Sequence, residues 1–126
     1  MGEAPVILVV EDEESVRLLV TTLLERNGYA VLTARNGAEG LEAARNFNGP
    51  ISAVLTDYKM PQLDGLQLVK RLTVERPGIR ALFISGQMSH PEELRRSGIP
   101  LVQKPFSITE LLRAVKLCLE APPPRP

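Results

Sequence analysis

Val6-Ile7-Leu8-Val9-Val10-Glu11-Asp12-Glu13-Glu14 (VILVVEDEE) is the stretch whose reading decides the fold of this chain. An apolar run this short, without the alternation that one wet face would impose, reads as a strand buried on both faces. Glu11 ends it abruptly. The run cannot span a bilayer, and no basic residue precedes it as a signal peptide would need. Similar runs recur at AVLTA (30–34), ISAVLT (51–56), IRALFIS (79–85) and PLVQ (100–103).

Helical patterns fill the gaps. Val16, Leu19, Val20, Leu23 and Leu24 share one helix face, and Gly28 supplies a left-handed stop. Asn36 caps a second helix, with Glu39 three residues on and Ala38, Leu41 and Ala44 along one side. Gly65, Leu68, Val69 and Leu72 mark a third, stopped before Pro77-Gly78. Pro91 suits the first turn of a short fourth helix of about two turns, with Gly98 past its end. Ser107-Ile108-Thr109-Glu110 is a capping box for a fifth, followed by Leu111, Leu112, Val115 and Leu119. Strict strand–helix alternation predicts an α/β fold: a doubly wound parallel sheet with helices on both faces.

Composition narrows the function. The 126 residues suit one domain, expected over 1–120, with a proline-rich tail or linker over 121–126 (APPPRP). Fifteen Lys and Arg against fifteen Asp and Glu leave a formal charge of zero, without the basic excess of a phosphate-driven nucleic-acid binder. The single cysteine, Cys118, excludes an internal disulfide and fits a reducing compartment. The expectation is a soluble, cytoplasmic domain or a piece of a larger protein, with no direct nucleic-acid or membrane partner.

In a doubly wound sheet the ligand site lies beyond the carboxyl ends of the strands. There the sequence places Glu11 and Asp12 (first strand), Asp57 (third), Ser85-Gly86 (fourth) and Lys104-Pro105 (fifth). Taken singly, each is ordinary: acids cap helices, Asp and Ser-Gly make turns, and a lysine is a solvated charge. Their joint placement is not. Two carboxylates about 4 Å apart repel by roughly 4 kcal/mol at an effective dielectric of 20, which a protein relieves by protonation or by a cation. Oxygen donors without histidine or cysteine favour a hard ion such as Mg²⁺.

In this order VVEDEE (9–14), LTDYKMPQLDG (55–65), FISG (83–86) and QKPF (103–106) resemble the receiver domain of two-component response regulators, over Val6 to Leu119. The resemblance implies a flavodoxin-like five-stranded sheet of order 2-1-3-4-5. It implies Asp57 as phosphoacceptor, and Glu11 and Asp12 as the acidic pair holding Mg²⁺, with Asp12 the more direct ligand. Lys59 would complete the metal site through its backbone carbonyl. Ser85 corresponds to the switch hydroxyl, and Lys104 to the lysine that pairs with the phosphoryl group, before a cis peptide bond to Pro105. The implied chemistry is transfer from a partner's phosphohistidine to Asp57 and later autodephosphorylation, without turnover of a separate substrate. The implied partners are a histidine kinase or phosphotransfer protein, docking around Glu14 to Leu18, and an output partner or fused domain. The implied oligomeric state is monomer or phosphorylation-dependent dimer. Lys59 and Gln87 correspond to positions that set the lifetime of the phosphoryl group.

Two departures stand out. Leu101 occupies a position where an aromatic switch residue is common, with Phe83 and Phe106 nearby. The span from Ser85 to Lys104 is short, which resembles receivers of hybrid histidine kinases. Competing readings fit less well. A flavodoxin-like electron carrier would place flavin phosphate against Glu11 to Glu14, and an aspartate-nucleophile phosphatase would want its nucleophile where Glu11 stands. A phosphorylation-independent interaction module of the same fold predicts lost site residues, and none is lost.

Overall fold

The structure, a computed structural model, describes residues 3–60, 62–86 and 92–124. Strands and helices alternate throughout: β1 (Val6–Val10), α1 (Glu14–Arg26), β2 (Ala30–Ala34), α2 (Gly37–Asn46), β3 (Ala53–Asp57), α3 (Gly65–Glu75), β4 (Arg80–Ser85), α4 (Glu92–Arg96), β5 (Leu101–Gln103) and α5 (Ile108–Glu120). The strands form one parallel sheet in the order β2-β1-β3-β4-β5. The expected α/β class, topology and strand order are all present.

Two apolar cores sandwich the sheet, because alternate strand residues point to opposite faces. Leu8, Val10, Val54 and Phe83 meet Leu41, Leu68, Leu72 and Leu94 on the face covered by α2, α3 and α4. Ile7, Val9, Leu55, Leu82 and Ile84 meet Val20, Leu24, Leu111 and Val115 of α1 and α5 on the other. The central strands β1, β3 and β4 are therefore almost wholly buried, as their unbroken apolar runs demand. The edge strands depart from the two-sided expectation: Ala30 and Thr33 of β2 and Gln103 of β5 are exposed, since each edge strand has a neighbour on one side only.

Other boundaries and faces also moved. β3 starts at Ala53 and takes in Asp57; Ile51 and Ser52 lie outside the ladder, although the Ser52 N–H donates to the Val6 carbonyl at 2.8 Å. On α1, Leu19 is half exposed while Val20, Leu23 and Leu24 are buried, because the buried stripe is narrower than the apolar pattern. On α2, Ala38 is exposed and Gly37 and Gly40 face inward instead. α4 is described over Glu92–Arg96, and the residues just before it, where the expected helix would begin, lie outside the described residues. Gly28 and Gly98 take left-handed conformations after α1 and α4 (φ 91° and 71°). The expected roles of Pro91 and Gln87 lie outside the described residues, as do Met1, Gly2 and the last two residues of the tail. Among the described residues no helix is long and apolar enough to cross a membrane.

Candidate functional site

The three central strands deliver their last residues to one rim. Register pairs Val10 with Thr56 and Asp57 with Ile84, so Glu11, Asp57 and Ser85 follow one another across neighbouring strand ends. Carboxylate oxygens of Glu11, Asp12 and Asp57 all lie within 4.8 Å of one another. Glu11 is fully buried, Asp57 nearly so, and Asp12 is exposed at the mouth. The structure thus brings the predicted acidic trio together.

Lys104 reaches this cluster from the end of β5. Its Nζ lies 2.8 Å from Glu11 Oε1 and donates to Asp57 Oδ2 at 3.3 Å. The Lys104 N–H donates to the Ser85 carbonyl at 2.7 Å, tying the fifth strand end to the fourth, and the Lys104–Pro105 bond is cis, as the resemblance implied. Ser85 itself is buried at the end of β4. Lys59 is exposed two residues past Asp57.

The electrostatics are asymmetric. Burial pushes the Glu11 carboxyl above its ordinary value. Lys104 and the Glu13 N–H, which donates to Oε2 at 3.1 Å, pull it down, while Asp12 and Asp57 push it up again; the net direction is upward. For Lys104 burial works downward, but the Glu11 and Asp57 carboxylates outweigh it and the ammonium is held more firmly than usual. Glu11 Oε1 faces the ammonium as a charge contact outside hydrogen-bonding angles, and among the described residues no other group satisfies it. Three carboxylates against one ammonium leave a deficit of about two positive charges when all are ionised. A hard divalent ion matches both that deficit and an all-oxygen donor set, so the residues present fit Mg²⁺.

Local structure explains how the site is held. Arg17, one turn into α1, donates from Nη1 to the Glu11 carbonyl at 2.9 Å and braces the acidic turn. Asp64 caps α3 and Gln67 reciprocates, a full capping box that fixes the far end of the loop leaving Asp57. Thr56, buried, donates from its hydroxyl to the Asp57 carbonyl at 3.0 Å. Sequence reading passed over these groups. The D-x-x-Q spacing of Asp64 and Gln67 was a legible signal; the contacts of Arg17 and Thr56 depend on geometry that no spacing reveals. Phe83 is core: it packs edge-on against Tyr58 with ring centroids 5.8 Å apart. Leu101 pairs in register with Phe83 and packs, partly buried, on the same core. Phe106 packs against the opposite one.

Comparison with known proteins gives a consistent neighbourhood. The profile of the response regulator receiver domain matches residues 7–116. The chain is 32% identical over 118 residues to the response regulator receiver protein CpdR of Brucella abortus, covering 91% of this chain and 97% of that protein. It is 34% identical over 120 residues to the sensor kinase CckA of the same organism, covering 90% of this chain and 12% of the kinase. A crystal structure of the receiver domain from the hybrid histidine kinase CckA superposes with a TM-score of 0.77 at 35% identity, covering 90% of this chain and 98% of that one. The chain thus spans nearly all of one relative and only a small part of another.

Proposed function

The chain belongs to the response regulator receiver domain family, and on that premise we propose that Asp57 is its phosphoacceptor, loaded by a partner histidine kinase or phosphotransfer protein. The observation that carries this reading is the convergence of Glu11, Asp12, Asp57 and Lys104 on one rim, with the Lys104 ammonium touching both buried carboxylates.

A carboxylate oxygen of Asp57 attacks the phosphorus of the partner's phosphohistidine; the O–P bond forms as the P–N bond breaks, and the imidazole leaves with the electron pair. Such a transition state is loose and asks mainly for positioning and charge stabilisation. Lys104, already 3.3 Å from Asp57 Oδ2, supplies fixed positive charge to the incoming phosphoryl oxygens. Asp12, Asp57, Glu11 and the Lys59 carbonyl would hold Mg²⁺, which supplies Lewis-acid charge stabilisation when bound. Ser85, at the end of β4, is the hydroxyl that turns toward the new phosphoryl group. That movement switches a protein-interaction surface. Leu101 stands where an aromatic gate is common, so output here runs without one at that position.

The chain acts on itself: phosphoryl transfer to its own aspartate and later hydrolysis, with Lys59 tuning the lifetime. The kinase docks at the start of α1, around Glu14 to Leu18, where Leu18 is exposed. We place the protein in the cytoplasm, as one receiver domain over 1–120 with a proline-rich tail or linker over 121–126. The output partner is a separate protein or a fused domain, and the state is a monomer or a phosphorylation-dependent dimer.

The test is intact mass after incubation with acetyl phosphate and Mg²⁺. Wild type gains one phosphoryl group; Asp57→Asn and chelated samples gain none. A normal gain in Asp57→Asn overturns the assignment. A folded wild type that binds Mg²⁺ yet never gains mass supports the phosphorylation-independent module instead.

A further inference from the structure

The peptide group that follows Asp57 is held on two sides. On one side the Thr56 hydroxyl, fully buried, donates to the Asp57 carbonyl at 3.0 Å and also lies 4.0 Å from the Met60 sulfur. On the other side stands Gly65, the first residue of α3. A Cβ placed there would meet the Asp57 carbonyl oxygen at 2.4 Å, the Tyr58 Cα at 3.0 Å and the Phe83 ring at 3.1 Å. Two of those three contacts are backbone, so a side chain at 65 cannot be relieved by rotating a neighbour. The Gly65 N–H donates to the Tyr58 carbonyl at 2.8 Å, closing the loop on itself. Between them Gln62 takes a left-handed conformation (φ 69°).

We propose that Thr56 and Gly65 are positioning residues for phosphoryl transfer: together they hold the Asp57–Tyr58 peptide in place, and with it the Cα from which the Asp57 carboxylate projects toward the incoming phosphorus. The proposal rests on Asp57 being the phosphoacceptor. The physical link is short. Rotation of the peptide about the Asp57 Cα–C bond leaves Cβ where it is, but a displacement of the peptide moves the Cα to which both are bonded and carries the carboxylate with it. In-line attack tolerates little error, and a misplacement of about 1 Å can cost on the order of a hundredfold in rate. The sequence motif hides this role: Thr56 reads as one more β-branched strand residue and Gly65 as the start of a helix.

Thr56→Val removes the hydroxyl with little change in volume. Thr56→Ser restores the donor, and Gly65→Ala adds the crowding Cβ. Ile79→Val, a buried change at the opposite end of β4, serves as the packing control. Each variant is incubated with acetyl phosphate at saturating Mg²⁺, and the initial rate of mass gain is read beside the folded fraction from circular dichroism. We expect roughly a tenfold slower gain for Thr56→Val and a greater loss for Gly65→Ala, near-wild-type loading for Thr56→Ser, and no change for Ile79→Val. If Gly65→Ala does not fold, Thr56→Val against Thr56→Ser decides. Equal rates for wild type and Thr56→Val overturn the inference, as does slowing of Ile79→Val to the same degree. A folded wild type that gains no mass overturns the phosphoacceptor reading itself and this inference with it.

Discussion

Cys118 shows how much one residue's surroundings decide. Its side chain points from α5 into the sheet, where Sγ donates to the Ala81 carbonyl at 3.4 Å. Burial pushes the thiol up to about 11, with only a minor opposing pull from Arg80. The nucleophilic form is the thiolate, so at pH 8 the folded chain should react with a disulfide reagent at a small fraction of the rate of the urea-unfolded chain. Equal rates would contradict the burial. The sign for stability follows. The folded thiol titrates above its unfolded value of 9.0, so its contribution is complete below that value. It fades as pH rises toward about 11, where on the order of 2 kcal/mol is lost. At this scale the site was legible wherever charge at a strand end gave the signal, as for Glu11, Asp57 and Lys104. Thr56 and Arg17 were not, because their work is a single contact with a backbone carbonyl.

Elements were read most faithfully where capping chemistry marks them. The Ser107 box on α5 forms as expected: the Ser107 hydroxyl accepts from the Glu110 N–H at 3.0 Å, and Glu110 accepts from the Ser107 N–H at 2.9 Å. Ser107→Ala should cost about 1 kcal/mol, read as a fall in melting temperature of about 3 °C. The Ser107 N–H is also the first cause of the lowered Glu110 carboxyl, followed by the hydroxyl. A carboxyl lowered on folding contributes stability above the unfolded value of 4.5 and loses it as pH falls through the lowered one. Glu110→Gln should therefore keep the cap but flatten that part of the acid limb in thermal melts, whereas Ser107→Ala should retain the slope set by the N–H. At Asn36 the reading was partial. The Asn36 side chain accepts from the Glu39 N–H at 2.8 Å, but the Glu39 carboxylate turns to Arg35, at its N–H (3.1 Å) and guanidinium (2.7 Å). Strand ends blurred where hydrogen bonds continue past the ladder, as at Ser52, whose carbonyl accepts from the Arg80 N–H at 3.1 Å.

For the molecule as a whole, two-sided burial of β1, β3 and β4 made the layered architecture legible, since a parallel sheet covered by helices on both faces hides such runs. The order of strands was not encoded in those runs; it came through the resemblance, because apolar strands alone do not say which neighbours pair. The same burial forces Glu11 into the sheet's rim with an oxygen that only a charge contact satisfies. With Asp12 and Asp57 beside it, that oxygen belongs to a cluster whose charge a bound divalent ion would offset. Binding to the folded chain alone stabilises it by RT ln(1 + [L]/Kd), about 2.7 kcal/mol at a hundredfold excess over Kd. The melting temperature should rise with Mg²⁺ and fall back on chelation, while sodium chloride at matched ionic strength leaves it nearly unchanged. Asp12→Ala removes the exposed member of the candidate ligand set without opening the core, so it should keep the fold and lose most of the Mg²⁺-dependent rise. A full rise in Asp12→Ala would mean that the ion sits elsewhere, and equal rises with magnesium and sodium salts would reduce the effect to screening.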